Sequence, residues 1–138
     1  MGSLAQLVED CLGIIQVYND SSISDFPIEV QDDDSAIWKD CLFDKKHNFY
    51  LRIYKSLSAS NAKLPILYFF HGGGFCLGSR TWSNCHNICL RLSSVLLAVV
   101  ISPDYCLAPE HRLPAAMDDA LSAVKWIQIQ ALSNTPDP

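Results

Sequence analysis

Hydrophobic and polar positions change their spacing twice along this 138-residue chain. Over Trp38–Phe43 and Asn48–Tyr54 they alternate, with the polar run Asp44-Lys45-Lys46-His47 between the two stretches. Alternation puts successive side chains on opposite faces of a strand, so this pattern predicts an antiparallel hairpin. Ser56–Lys63 is polar and reads as a loop. Leu64–Phe70 and Leu97–Ser102 are almost unbroken apolar runs, which suits strands covered on both faces of a parallel sheet. Between them Trp82, Cys85, Ile88, Cys89 and Leu92 recur at helical spacing. Met117, Ala120, Leu121, Val124 and Ile127 repeat that spacing after the second run. Pro114 suits the first turn of this second helix, and Asp118 and Asp119 sit where the helix dipole favours negative charge. The order of hairpin, strand, helix, strand and helix predicts an α/β fold. In it an N-terminal antiparallel hairpin leads into a mostly parallel sheet flanked by helices.

Residues 1–31 are less regular. Leu4, Leu7, Val8 and Cys11 give a short amphipathic start, and Ile14–Val17 and Ile23–Phe26 read as strands about the turn-rich Asn19-Asp20-Ser21-Ser22. Asp32-Asp33-Asp34 reads as a solvated turn.

Composition narrows the class. With 49% hydrophobic and 18% charged residues, the chain is too apolar to be disordered. Ten Lys+Arg against fifteen Asp+Glu give a net charge of −5 without a basic run, a poor match for nucleic acid or an anionic membrane. The longest apolar run, Val95–Ile101, is too short to span a bilayer, and no basic segment precedes the N-terminal apolar residues. A cytoplasmic protein with free thiols is expected. The six cysteines contain no Cys-x-x-Cys pair. Cys85, His86 and Cys89 lack further ligands at metal-binding spacing, so both cysteines are assigned to a buried helix face and no metal site is expected.

The chemistry lies where the first apolar run ends, at His71-Gly72-Gly73-Gly74-Phe75. Three successive glycines remove every Cβ from the turn, so the backbone can take positive φ and aim its N–H groups into a cleft. Such donors can hold an oxyanion, each worth about 2.7–4 kcal/mol of transition-state stabilisation. A tight strand-to-helix connection would also use glycines. The preceding histidine, the following aromatic and the nearby helix favour the oxyanion loop found after the third strand of α/β-hydrolases.

His71-Gly72-Gly73-Gly74-Phe75, followed by Asp104-Tyr105 and Leu107-Ala108-Pro109-Glu110-His111, resembles the plant carboxylesterases. These belong to the hormone-sensitive-lipase-like branch of α/β-hydrolases, which also holds gibberellin-receptor-like proteins. Trp38-Lys39-Asp40 and Pro114-Ala115-Ala116 add to the likeness. The resemblance implies that the N–H groups of Gly72 and Gly73 form the oxyanion hole, with Gly74 supporting the turn. It implies that His71, Asp104 and Tyr105 brace the loop, and that His71 is not the catalytic base. Phe75, Leu77 and Trp82 are candidates to line the pocket. Glu110 and His111 are expected to pack the turn before the second helix rather than act as acid and base.

Where the family usually has Arg after the Tyr, this chain has Cys106, which leaves an unpaired carboxylate expected nearby. No Gly-x-Ser-x-Gly elbow occurs in the sequence. The resemblance places the nucleophile, acid and base beyond Pro138. Residues 1–138 then correspond to the N-terminal portion of one hydrolase domain, with 1–31 as a cap segment. The expected activity is carboxylic ester hydrolysis on a small-molecule ester without a cofactor, this chain being inactive alone. The alternative is a non-catalytic receptor for a hormone-like ligand, with a nuclear as well as a cytoplasmic location.

Overall fold

The computed structural model describes residues 6–11, 15–18, 23–25, 34–59 and 63–133. The amphipathic start lies partly outside this set, as do Asn19–Ser22 and Asp32-Asp33. Strands β1 (Leu7–Cys11), β2 (Ile15–Tyr18) and β3 (Ile23–Asp25) form an antiparallel sheet in sequence order. The stretch read as an amphipathic start is therefore extended over Leu7–Cys11.

The hairpin forms as the alternation predicts. Strands β4 (Ala36–Asp44) and β5 (Phe49–Ser56) pair antiparallel, with Trp38 opposite Tyr54 and Asp40 opposite Arg52. Asp44 closes the connection: its Oδ1 accepts from the N–H groups of Lys46 (2.8 Å) and His47 (3.1 Å). This is the local backbone capture that makes Asp a turn residue.

Strands β6 (Ile66–Tyr68) and β7 (Val99–Pro103) pair parallel, and β7 also pairs antiparallel with β5. The order across the sheet is β4-β5-β7-β6. Helix α1 (Ser83–Leu96) connects the two parallel strands, and helix α2 (Ala115–Leu132) follows β7. On one face Ala36, Tyr54 and Val100 pack with Cys89 and Leu90 of α1. On the other, Leu51 and Ile101 pack with Ile127 of α2, flanked by Phe43, Tyr68 and Trp126. Val100 and Ile101 are neighbours in sequence and face opposite layers, which is why β7 opens on the unbroken apolar run Val99-Val100-Ile101. Each such side chain contributes about 1.5–3 kcal/mol on burial.

Three sequence expectations change. Strand β6 is shorter than Leu64–Phe70, and Ile66 (49%) and Leu67 (36%) stay exposed because β6 is the sheet edge among the described residues. Helix α1 buries His86 and Leu90 while Ile88 faces out. Helix α2 turns Ala116, Asp119, Ala123 and Ile127 inward, leaving Met117 and Leu121 exposed. Both helices carry apolar residues on more than one face, so spacing alone does not select the face that docks. Among the described residues no helix is long and apolar enough to cross a membrane.

Candidate active site

The glycine loop leaves the C-terminal end of β6, beside the C-terminal end of β7. Phe69 N–H still bonds to Ile101 O (2.8 Å), which carries the pairing past the strand. His71 then turns inward, 4% exposed, and lies against Tyr105 with ring centroids 4.3 Å apart. The Tyr105 hydroxyl donates to the His71 carbonyl. His71 Nδ1 lies 2.9 Å from Gly72 O and 3.1 Å from the Tyr105 hydroxyl. The carbonyl cannot donate, so a proton on Nδ1 satisfies the first contact. The Gly73 carbonyl accepts from the N–H groups of Cys76 (3.1 Å) and Leu77 (3.2 Å).

Three consecutive carbonyls, those of residues 71, 72 and 73, are therefore occupied. In a trans peptide the N–H points opposite to the carbonyl of the same unit. Holding the three carbonyls fixes the directions of the N–H groups of Gly72, Gly73 and Gly74. Among the described residues none of these three donates to a backbone acceptor. Free N–H donors grouped in this way can hold an anion.

Glycine is required at two places here by close approach as well as by φ. Gly73 has φ +128°, and a Cβ there would lie 2.0 Å from Leu77 O. Gly78 has φ +112°, and a Cβ there would meet His71 Nδ1 at 2.4 Å. Phe75 adopts φ 63° without being glycine, and its carbonyl accepts from Ala108 N–H at 2.7 Å. That bond ties the loop to the segment after Tyr105. The Phe75 ring is partly exposed and packs edge-on to Tyr105, while Leu77, in the loop, and Trp82, just before α1, are half-buried.

A family model for the α/β hydrolase fold matches residues 67–137. The chain belongs to the α/β-hydrolase fold family. It is 34% identical over 134 residues to probable carboxylesterase 6 of Arabidopsis thaliana, covering 88% of this chain and 39% of that protein. An arylesterase structure superposes with a TM-score of 0.66 at 30% identity, over 78% of this chain and 35% of its own. The esterase of Pyrobaculum calidifontis gives 0.57 at 38% identity, over 66% and 29%. The chain thus spans well under half the length of these relatives. Its likeness to the plant carboxylesterases, over their N-terminal half, rests on this alignment as well as on the motifs.

Within the hydrolase fold, an ion-pair network below the loop was missed from the sequence. Arg80 reaches both carboxylates around it: its side chain pairs with Asp104, its backbone N–H donates to Asp104 Oδ1 at 3.2 Å, and its Nε lies 3.3 Å from Asp40 Oδ1. Arg52 holds Asp40 with two further bonds of 2.7 and 2.8 Å, and stacks over Trp38 at 3.9 Å. Burial works against the Asp40 carboxylate, but the Arg52 and Arg80 guanidiniums outweigh it and hold its pKa below the usual 3.8. Asp104 bonds to Arg80, which follows the loop in sequence, while Tyr105 touches His71 directly. The usable signal was the facing of Asp40 and Arg52 across the predicted hairpin.

His86, flagged between two cysteines, sits in the core. Its Nδ1 lies 3.1 Å from both Arg52 Nη1 and the Tyr54 hydroxyl. Cys106 is buried, and its N–H donates to Asp119 Oδ2 at 2.8 Å. The carboxylate expected near Cys106 is thus Asp119, partnered by backbone rather than by a guanidinium. Burial, with Asp119 beside it, pushes the Cys106 thiol up to about 12. Glu110 and His111 are exposed, and His111 N–H closes a turn onto Leu107 O at 3.0 Å.

Proposed function

We propose that this chain supplies the oxyanion-hole half of a serine carboxylesterase acting on small-molecule esters. The observation that carries the reading is the set of three occupied carbonyls at residues 71–73, which leaves the N–H groups of Gly72, Gly73 and Gly74 without backbone partners. A serine elsewhere in the complete fold attacks the ester carbonyl, and a histidine takes its proton. The carbonyl electron pair moves onto oxygen, where the N–H groups of Gly72 and Gly73 stabilise it and Gly74 supports the turn. Collapse of the tetrahedral intermediate expels the alcohol, and water then releases the acid. Phe75, Leu77 and Trp82 line the acyl side. Residues 1–31, part of which forms a sheet of its own, contribute to a cap. The hormone-receptor alternative shares the same loop, but no observation here favours it over hydrolysis.

The test uses the complete protein and a short-chain nitrophenyl ester. Gly73→Pro deletes one donor and distorts the turn, and the expected loss is about 10²–10³ in kcat. An unchanged rate in a folded variant overturns the assignment. Residues 1–138, which contain no Gly-x-Ser-x-Gly, are expected to show no turnover alone. Hydrolysis by these residues that a serine-directed reagent abolishes would contradict this.

A further inference from the structure

Three side chains that no step of the proposed hydrolysis uses meet at the hairpin turn. Asp44 ends β4, His47 lies in the turn, and Asp119 reaches across from α2. One ligand atom from each lies within 4.8 Å of the other two. The donors are an imidazole nitrogen and two carboxylate oxygens, contributed by segments far apart in sequence.

Both carboxylates accept backbone N–H groups, Asp44 within its own turn and Asp119 from the segment after β7. Asp44 Oδ1 is fixed by the N–H groups of Lys46 and His47, which leaves Oδ2 facing His47 Nδ1 at 2.7 Å. Asp119 Oδ2 is fixed by Cys106 N–H. Backbone hydrogen bonds that orient carboxylates in this way are the usual outer support of a metal site. Among the described residues, no Lys or Arg forms an ion pair with Asp44 or Asp119. His47 is partly exposed, with 36% of its side-chain surface accessible, so an ion can enter from solvent.

We infer that Asp44, His47 and Asp119 form a binding site for a divalent cation of the zinc class. Mixed imidazole and carboxylate donors suit zinc better than calcium or magnesium, which take oxygen alone. Three protein ligands leave water to complete the shell. The Asp44–His47 hydrogen bond opens on binding, and the imidazole proton leaves to solvent or moves to the other ring nitrogen. The ion would pin the β4–β5 turn to α2, next to the 104–107 segment that braces the glycine loop. This is a structural role, apart from the hydrolytic chemistry.

The test is calorimetric titration of the complete protein with zinc chloride, followed by thermal melts with and without the metal. One equivalent is expected to bind and to raise the midpoint. His47→Ala, an exposed change that leaves the core intact, is expected to weaken binding by at least about tenfold and to abolish the shift. Asp119→Asn is expected to do the same. His111→Ala and Cys76→Ser, both outside the cluster, should leave binding as it is. Cobalt(II) gives an independent reading, since coordination by these side chains produces a visible ligand-field band that His47→Ala removes. No binding at sub-millimolar zinc overturns the site. So does binding that His47→Ala leaves intact or that His111→Ala or Cys76→Ser removes equally. In that case His47 serves only to cap the turn. None of these readouts depends on ester hydrolysis, so the site and the proposed activity stand or fall separately.

Discussion

Tyr105 holds His71 twice, through a hydroxyl that donates to the His71 carbonyl and through rings stacked at 4.3 Å. Tyr105→Phe keeps the stack and removes the donor, leaving a buried carbonyl short of a partner. A loss of about 1–3 kcal/mol is expected, read by urea denaturation of the complete protein at unchanged m-value. Because the same carbonyl orients Gly72 N–H, kcat for ester hydrolysis should fall while KM changes little. A variant as stable and active as the wild type would show that this bond does not set the loop.

The glycines of the loop should separate by position. Gly73→Ala and Gly78→Ala each combine a positive φ with overlap against fixed atoms, and about 1–3 kcal/mol of destabilisation is expected for the backbone strain alone. A Cβ on Gly72 meets nothing within 4 Å, so Gly72→Ala should lie within about 1 kcal/mol of the wild type. Thermal melts of the three variants provide the comparison, and equal losses would contradict the loop geometry.

Asp40 should shape the acid limb of the stability curve. Its folded pKa lies below the usual 3.8, so it contributes stability that is present above about pH 4. That contribution is lost as pH falls through the lowered folded value. Asp40→Asn should lower stability by about 1.5–3 kcal/mol at neutral pH, since Arg52 loses a charged partner. The gap between variant and wild type should close in strong acid. A constant gap across that range would mean that Asp40 acts through packing rather than through its charge.

The thiols should differ sharply in reactivity. Cys76 is exposed on the loop, whereas Cys89 and Cys106 are buried and pushed up to about 12, chiefly by burial. The thiolate is the reactive form. A brief alkylation in mildly alkaline buffer, followed by peptide mass spectrometry, should find label on Cys76 and little on Cys89 or Cys106 until the chain is unfolded. Early labelling of Cys106 would contradict its packing against Asp119.

Strand β6 presents exposed Ile66 and Leu67 at the sheet edge of the described residues. An apolar edge of this kind is a template for pairing with another chain. The 138-residue chain is expected to associate at micromolar concentration. Leu67→Lys should reduce light scattering without changing the circular dichroism. Undiminished association would place the contact elsewhere.

Much of the architecture was legible because it follows from local rules. The alternation over β4 and β5, the apolar run Val99-Val100-Ile101 in β7 and the helical spacing of α1 and α2 each report how many faces an element buries. The glycine run was legible for a similar reason, since three missing Cβ atoms point to unusual φ wherever they occur. Which helix face docks was not legible. Ile88, Met117 and Leu121 are apolar and well spaced, yet face out, because the choice depends on the shape of the sheet each helix meets.

The site divides along the same line. The sequence by itself determined the class of fold, the hairpin and the run of three glycines at Gly72–Gly74. Only the tertiary structure decided that Tyr105 locks His71, that Arg80 joins Asp40 to Asp104, and that Asp119 lies beside both Cys106 and the β4–β5 turn. Strand and helix patterns are set by periods of two and about 3.6 residues, which a chain carries locally. Ion pairs and hydrogen bonds between distant segments depend on where the sheet order β4-β5-β7-β6 brings strand ends together, and no local period encodes that.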